Sequence, residues 1–355
     1  MASNVTTGSQ GDYPAPRQMR RKDGSARFAY ATFVILNDSY VPGALVLAHS
    51  LKRMGTEADI LCLVNAQISD GARAQLGVVF DRVIPVETIF TPYRNRQRNQ
   101  FFPYLFTRFH VLRLGPGGGL GFAYEKIVML DADMVALRHF DHLFSLDAPA
   151  GVLNESKDMM VPQGAMGEHA ASPETLATGK WGWHARYEHV CPHGARIPKA
   201  LTDQVLDDPD NMGVNGALIV LEPSLDAFRS IGDDLDMPEW KYRIHDAFHW
   251  PEMQYITAKW SGRWHNVDAR FAAIKGYPSV DHAFGLHFAG FKPWKVKQSG
   301  TMARYARYDD FRLWFDLYDD MLAVYGKLAR VPKLRKLREA IGQLRAKANR
   351  PGGSG

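Results

Sequence analysis

Cysteine is scarce: Cys62 and Cys191 are the only two in 355 residues. Two thiols so far apart cannot build a disulfide framework or a C-x-x-C pair, so a reducing compartment, the cytoplasm, is expected. Long apolar runs are missing as well. Nothing approaches the ~18 consecutive apolar residues of a spanning helix, and the first residues hold no apolar stretch of signal-peptide type. Charge of one sign is not in great excess: 43 Lys and Arg against 38 Asp and Glu leave +5. That balance favours anionic ligands such as phosphates, while no nucleic-acid-binding module is recognisable. Internal repeats are absent. What is present, 46% hydrophobic and 12% aromatic residues, supports a real core in one large domain or two ordinary ones.

Along the chain, residues 1–27 are rich in Ser, Thr, Gly and Pro, carry Arg17, Arg20, Arg21 and Lys22, and read as a disordered basic leader. From Phe28 the texture changes. Phe28 to Leu36, Asp59 to Val64, Arg82 to Val86 and Lys126 to Leu130 have the length and composition of buried strands. Between them, Pro42 to Met54 repeats apolar residues at helical spacing with Pro in the first turn, and Ser69 or Asp70 can cap a second helix ending at Phe80. This βαβαβ alternation predicts an α/β domain with a mainly parallel sheet and ligand sites at the carboxyl ends of strands. Residues 154–211, with much Pro, Gly, His and Trp and little periodicity, read as an insertion or lid. Ala217 to Leu221 is another buried strand, and Pro223 to Leu235 the helix after it. Residues 28–300 thus form one domain, and 301–355 a helical tail with a basic run from Lys327 to Arg350.

The sharpest chemical feature is KIVMLDADM at Lys126 to Met134. In extended backbone, residues i and i+2 face the same way, so Asp131 and Asp133 can both address one divalent cation at the end of a buried strand. Hard oxygen ligands suit Mg²⁺ or Mn²⁺; the plainer reading is two exposed acids opening a loop. In HFAGFKPW, His287 can complete a metal shell, Gly290 admits a phosphate close to the backbone and Lys292 offers a point charge. In isolation, an ordinary aromatic-rich loop with a buried histidine is the favoured reading. Asn37-Asp38-Ser39-Tyr40 follows the first strand, where a helix cap or a nucleotide base could sit. The GPGGGLG run at Gly115 to Gly121 precedes a strand rather than opening a helix, and is a connection rather than a phosphate loop. His184, His189, Cys191 and His193 cluster without any familiar zinc spacing.

Taken in order, the motifs NDSYVPGALVLAHSL, VFDRVIPV, LFTRFHV, KIVMLDADMV, NGALIVLEPS and HFAGFKPW resemble the glycogenin-like retaining glycosyltransferases of glycosyltransferase family 8, which have the GT-A fold. The resemblance runs from about Phe28 to Trp294, with a gap at the insertion. It implies transfer of a hexosyl group from a nucleoside-diphosphate sugar, usually a UDP-sugar, with Mn²⁺ or alternatively Mg²⁺. The acceptor would be a hydroxyl of a carbohydrate, polyol or protein; a homodimer is allowed. Carried over to this sequence, Asp131, Asp133 and His287 would hold the metal. Leu36, Asn37 and Tyr40 would line the uridine pocket, with Ala132, Gly290 and Lys292 also on the donor. Arg108 stands where the family commonly has Lys, keeping the charge but not the shape, and Asn215 would contact the donor sugar. Glycogenin glucosylates its own tyrosine; Tyr277 is the nearest candidate here, without a motif behind it.

One position departs from the family. Where an Asp-Gln pair is common near the sugar, this chain has Pro251-Glu252-Met253-Gln254: Gln254 carries over, Met253 replaces the Asp, and Glu252 can substitute from next door. With no Asp there, retention through same-face attack, shielded by the leaving group, is favoured over a covalent glycosyl-Glu252. The competing readings are a nucleotidyltransferase, which gives no reason for HFAGFKPW, and a non-catalytic GT-A-like nucleotide-sugar-binding or scaffold protein, which Met253 would suit.

Overall fold

The computed structural model describes residues 13–94, 100–154, 171–274, 280–296 and 305–348. The expected strands form where the apolar runs lie: β1 (Phe28–Val34), β2 (Asp59–Val64), β3 (Arg82–Pro85) and β4 (Lys126–Leu130). They are followed by β5 (Met134–Ala136), β6 (Ala150–Leu153), β7 (Val214–Leu221), β8 (His265–Asn266), β9 (Ala273–Ile274) and β10 (Gly285–His287). Among the described residues the central sheet has seven strands in the order β3-β2-β1-β4-β7-β6-β8. β7 alone runs against its neighbours β4 and β6, while β1, β2, β3 and β4 are parallel. Every residue of β7 is buried, as expected of a central strand covered on both faces.

Local chemistry sets the helix boundaries. α1 (Val41–Arg53) has Pro42 in its first turn, and α2 (Asp70–Val79) starts where Ser69 accepts from the Ala72 N–H at 3.2 Å. The helix Leu225–Asp236 is capped in the same way by Ser224, each cap satisfying an otherwise orphaned donor. α1 must come very close to the turn after β4. A Cβ on Gly43 would lie 2.5 Å from the Ala132 carbonyl and 2.4 Å from Trp294, so a glycine is needed there.

A smaller sheet, β5-β10-β9, sits at the end of the large one. In it His287 is paired with Met134, and the Phe288 N–H donates to the Asp133 carbonyl at 2.9 Å. This antiparallel pairing carries the distant HFAGFKPW segment to the two aspartates.

One region departs from its compositional reading. Residues 13–27, read as part of a disordered leader, are docked. Met19 is buried, Arg21 donates to the Ala26 carbonyl at 2.7 Å, and Arg21 and Arg27 share Glu125 at 3.1 and 2.7 Å. A polar composition hides the effect of one buried methionine and one shared carboxylate. The described part of the insertion, 171–211, is packed as well: Trp183 is buried and its indole N–H donates to the Leu153 carbonyl at 2.6 Å. In the tail, Asp309–Val324 buries Trp314, Phe315 and Tyr318, with Trp314 5.6 Å from Trp294 between ring centres. Pro332–Ala348 buries Leu334, Leu337, Ile341 and Leu344 on one face, while Arg338 and Arg345 on its flank pair with Asp319 at 2.9 and 2.8 Å.

Candidate active site

A cavity of about 430 Å³ opens at the carboxyl ends of β1 and β4, the crevice where open α/β sheets bind ligands. Of the residues singled out from sequence, Tyr40, Arg108, Asp131, Ala132, Asp133, Asn215, Glu252, His287 and Gly290 line it, and Met253 does too. Leu36, Asn37, Gln254 and Lys292 are not on its wall.

Each absence has a physical cause. Asn37 is exposed, and its side chain accepts from the Ser39 N–H at 2.9 Å, so it caps its own turn. Leu36 takes φ +70°, a left-handed conformation unusual for leucine, and turns the chain out of β1. Gln254 is wholly buried in the helix Pro251–Lys259. It accepts from the Trp250 N–H at 2.7 Å and donates to the carbonyls of Pro209 and Asn211 at 3.2 and 2.9 Å. Expected near the donor sugar, it instead ties the segment entering β7 to its own helix. Lys292 lies behind Asp133, to which its ammonium donates, along with the Phe288 carbonyl.

On the cavity floor, the ligand atoms of Asp131, Asp133 and His287 lie within 4.8 Å of one another, and among the described residues no other group of three or more metal-ligating side chains does so. His287 Nε2 is 3.5 Å from Asp133 and 4.0 Å from Asp131, and its buried Nδ1 has no hydrogen-bond partner among the described residues. Two carboxylates and an imidazole make a donor set that fits a hard divalent cation such as Mn²⁺ or Mg²⁺. By contrast, His184 is engaged by Asp268 at 3.1 Å and His193 by His142 at 2.8 Å, which accounts for two members of the other histidine cluster. Tyr277 lies outside the described residues.

Arg108 comes from a twelve-residue 3₁₀ segment, Phe102–Arg113. Its guanidinium donates to Asp131, to Glu252 and, at 3.1 Å, to the Gly216 carbonyl, with its carbon 4.6 Å from the centre of the Phe33 ring. Gly216 makes this possible. A Cβ there would stand 2.6 Å from the guanidinium, 2.8 Å from the Glu252 carboxylate and 3.1 Å from Met253. Sequence reading passed over Gly216, although a glycine inside a β-rich run flags close approach. It also passed over the apolar wall of Phe33, Phe101, Phe102, Leu105, Met212 and Trp250, whose members are scattered along the chain.

The site's charges are strongly perturbed. Burial pushes the Glu252 carboxyl above the ordinary carboxylate range, against the pull of Arg108. Burial would raise Asp133 as well, but Lys292 and then His287 hold it below that range. Burial raises Tyr40, helped by the negative charges of Asp133 and Asp131, so its hydroxyl stays protonated. Asn215 fixes its own strand, accepting from the Ala217 N–H at 2.9 Å.

No family model matches the chain. Over 117 residues it is 43% identical to glycogenin of Neurospora crassa, a stretch covering 32% of this chain and 16% of that protein. Galactinol synthase 1 of Arabidopsis thaliana is 24% identical over 312 residues, covering 84% of this chain and 81% of the plant protein. Among solved structures, the galactosyltransferase LgtC in complex with donor and acceptor sugar analogues superposes with a TM-score of 0.53 at 14% identity, over 87% of this chain and 99% of that one. This last likeness is one of fold, and the fold is GT-A.

Proposed function

We propose that this chain, a glycosyltransferase related to glycogenin and galactinol synthase, transfers a hexosyl group from a UDP-sugar to a hydroxyl acceptor with retention of configuration, using Mn²⁺ or Mg²⁺. The observation that carries the reading is the meeting of Asp131, Asp133 and His287 within 4.8 Å on the floor of a cavity that Arg108 and Glu252 also line. In this reading the two aspartates and His287 would hold the metal, which when bound would supply Lewis-acid neutralisation of the diphosphate leaving group.

The chain's own residues supply the rest. Gly290 and the backbone at Ala132 leave room for phosphates at the cavity wall, and Arg108 adds preorganised positive charge beside them. Tyr40, packed against Phe101 at 5.3 Å and Trp294 at 5.6 Å, offers a ring face to the base, while Leu36 and Asn37 shape the turn that positions it. Asn215 and Glu252 flank the donor sugar, and Gln254 acts by fixing the segment before β7. Because Glu252 is held by Arg108, its lone pairs are poorly placed for nucleophilic attack. Same-face attack by the acceptor hydroxyl is therefore favoured, and trapping a covalent glycosyl-Glu252 would overturn that choice. The acceptor is a hydroxyl of a carbohydrate, polyol or protein. Both cysteines are buried, and among the described residues no helix is long and apolar enough to cross a membrane; the proposed setting is the cytoplasm.

The test is release of nucleoside diphosphate from a panel of nucleotide-sugars, with and without Mn²⁺. Turnover of at least one donor, lost in Asp131→Ala and Asp133→Ala, is expected. Turnover of none, or rates indifferent to both substitutions, would refute the reading.

A further inference from the structure

We propose that Arg108 and Lys292 are resident counterions occupying the acidic pair, so that a divalent metal gains Asp131 and Asp133 only together with a diphosphate that draws these two cations away. The inference rests on the metal reading of Asp131, Asp133 and His287 given above.

Each aspartate already has its own cation. One arm of the Arg108 guanidinium donates to Asp131 while the other holds Glu252, and the Lys292 ammonium donates to Asp133. Both cations are buried, at 2% and 8% exposure. Three carboxylates against two cations leave a formal charge of −1. A divalent ion entering alone would turn this to +1 and compete for the carboxylate oxygens that the two cations hold. Inside a protein, displaced or uncompensated charge is expensive. A diphosphate brings about two negative charges of its own and strong acceptor oxygens, which restore the balance and give both cations a new partner.

The geometry allows that exchange. Arg108 lines the cavity, its Nε is buried with no hydrogen-bond partner among the described residues, and its fork can keep Glu252 with one nitrogen while releasing Asp131 with the other. Lysine at this position could hold only one of the two carboxylates as firmly, since an ammonium is a point charge. Lys292 is two residues from Gly290, which is on the cavity wall, so its ammonium need only swing forward from Asp133. Because binding energies are linked, the preference is reciprocal: the diphosphate binds weakly without metal and the metal weakly without diphosphate.

The experiment measures Mn²⁺ uptake by the full-length chain, by electron paramagnetic resonance of free Mn²⁺, with and without UDP and with Mn²⁺–UDP association in buffer subtracted. UDP is expected to tighten Mn²⁺ binding by about tenfold to a hundredfold. Direct ligation of the metal by phosphate would produce some of this coupling without counterions, so the deciding arm is Lys292→Met. Freed of its competitor, Asp133 should bind Mn²⁺ alone roughly tenfold more tightly than in the wild type, with a smaller UDP enhancement. Lys292→Gln, which retains a donor for the Phe288 carbonyl, repeats the measurement should the Met variant melt early. Variants that fold but bind Mn²⁺ alone no more tightly than wild type overturn the inference and leave the metal reading intact. Wild-type protein that takes up no Mn²⁺ even with UDP overturns both.

Discussion

Arg108 and Glu252, 144 positions apart in the sequence, form a buried ion pair between the 3₁₀ segment and the helix Pro251–Lys259. Removing one partner of such a pair strands the other's charge, at a cost of about 3–5 kcal/mol. Arg108→Ala should therefore lower stability by that order, since both Asp131 and Glu252 lose their cation, and abolish turnover. Arg108→Lys should recover part of the stability. Urea denaturation of the three proteins checks this; a loss under about 1 kcal/mol for the alanine variant would show the pair to be energetically idle.

Gly216→Ala should disable the site while leaving the sheet assembled. The new methyl group would meet the Arg108 guanidinium at 2.6 Å and Glu252 at 2.8 Å, and overpacking of this kind costs about 1–3 kcal/mol. We expect a large fall in kcat with an unchanged far-ultraviolet circular dichroism spectrum. A variant with full activity would mean that the guanidinium and carboxylate can shift without consequence.

Gln254→Ala separates a sugar contact from a structural role. The side chain satisfies one backbone N–H and two backbone carbonyls within 3.2 Å, and stranding such buried groups costs about 1–3 kcal/mol. The melting temperature should fall, with the KM for donor changing little at temperatures where the variant remains folded. A raised donor KM at unchanged stability would assign Gln254 to the sugar instead.

The N-terminal segment should loosen in acid. Pro14 accepts from His142 Nδ1 at 3.2 Å, His193 Nδ1 accepts from the Asp268 N–H at 3.0 Å, and the two Nε2 atoms are 2.8 Å apart. That chain holds one proton between two neutral rings, with the Tyr13 ring tilted against both, its centre 4.8 and 4.6 Å from theirs. Burial pushes His142 below the ordinary histidine value, and burial with the neighbouring His142 pushes His193 down to about 4. Unfolded histidine binds a proton near pH 6.5, so below that pH the unfolded state takes up more protons than the folded one. The stabilisation is complete above about pH 6.5 and is lost as pH falls toward 4. Asp268 does not contribute in that window, because His184 and Arg270 hold it below the usual range despite its burial. Limited proteolysis ahead of residue 28 should quicken between pH 7.5 and 4.5, roughly spanning that window. In His193→Phe, which keeps a ring on Phe271, the pH dependence should flatten.

Local chemistry made much of this protein legible from its residues. The buried runs at Asp59 and Lys126 became strands with the expected bounds, and Ser69 capped its helix, because strand period and cap chemistry act over a few residues. For the same reason, Asp131 and Asp133 could be recognised as a pair at a strand end before any neighbour was known. Tertiary structure decided what that pair meets. The pairing of β10 with β5 brings His287 to it, Lys292 reaches Asp133 across 159 positions and Arg108 reaches Asp131 across 23. Gln254 was turned away from the cavity by backbone groups that only the folded chain presents to it. Which partner a buried side chain chooses depends on competing hydrogen bonds and charges gathered from distant segments, and no local pattern in the sequence encodes that competition.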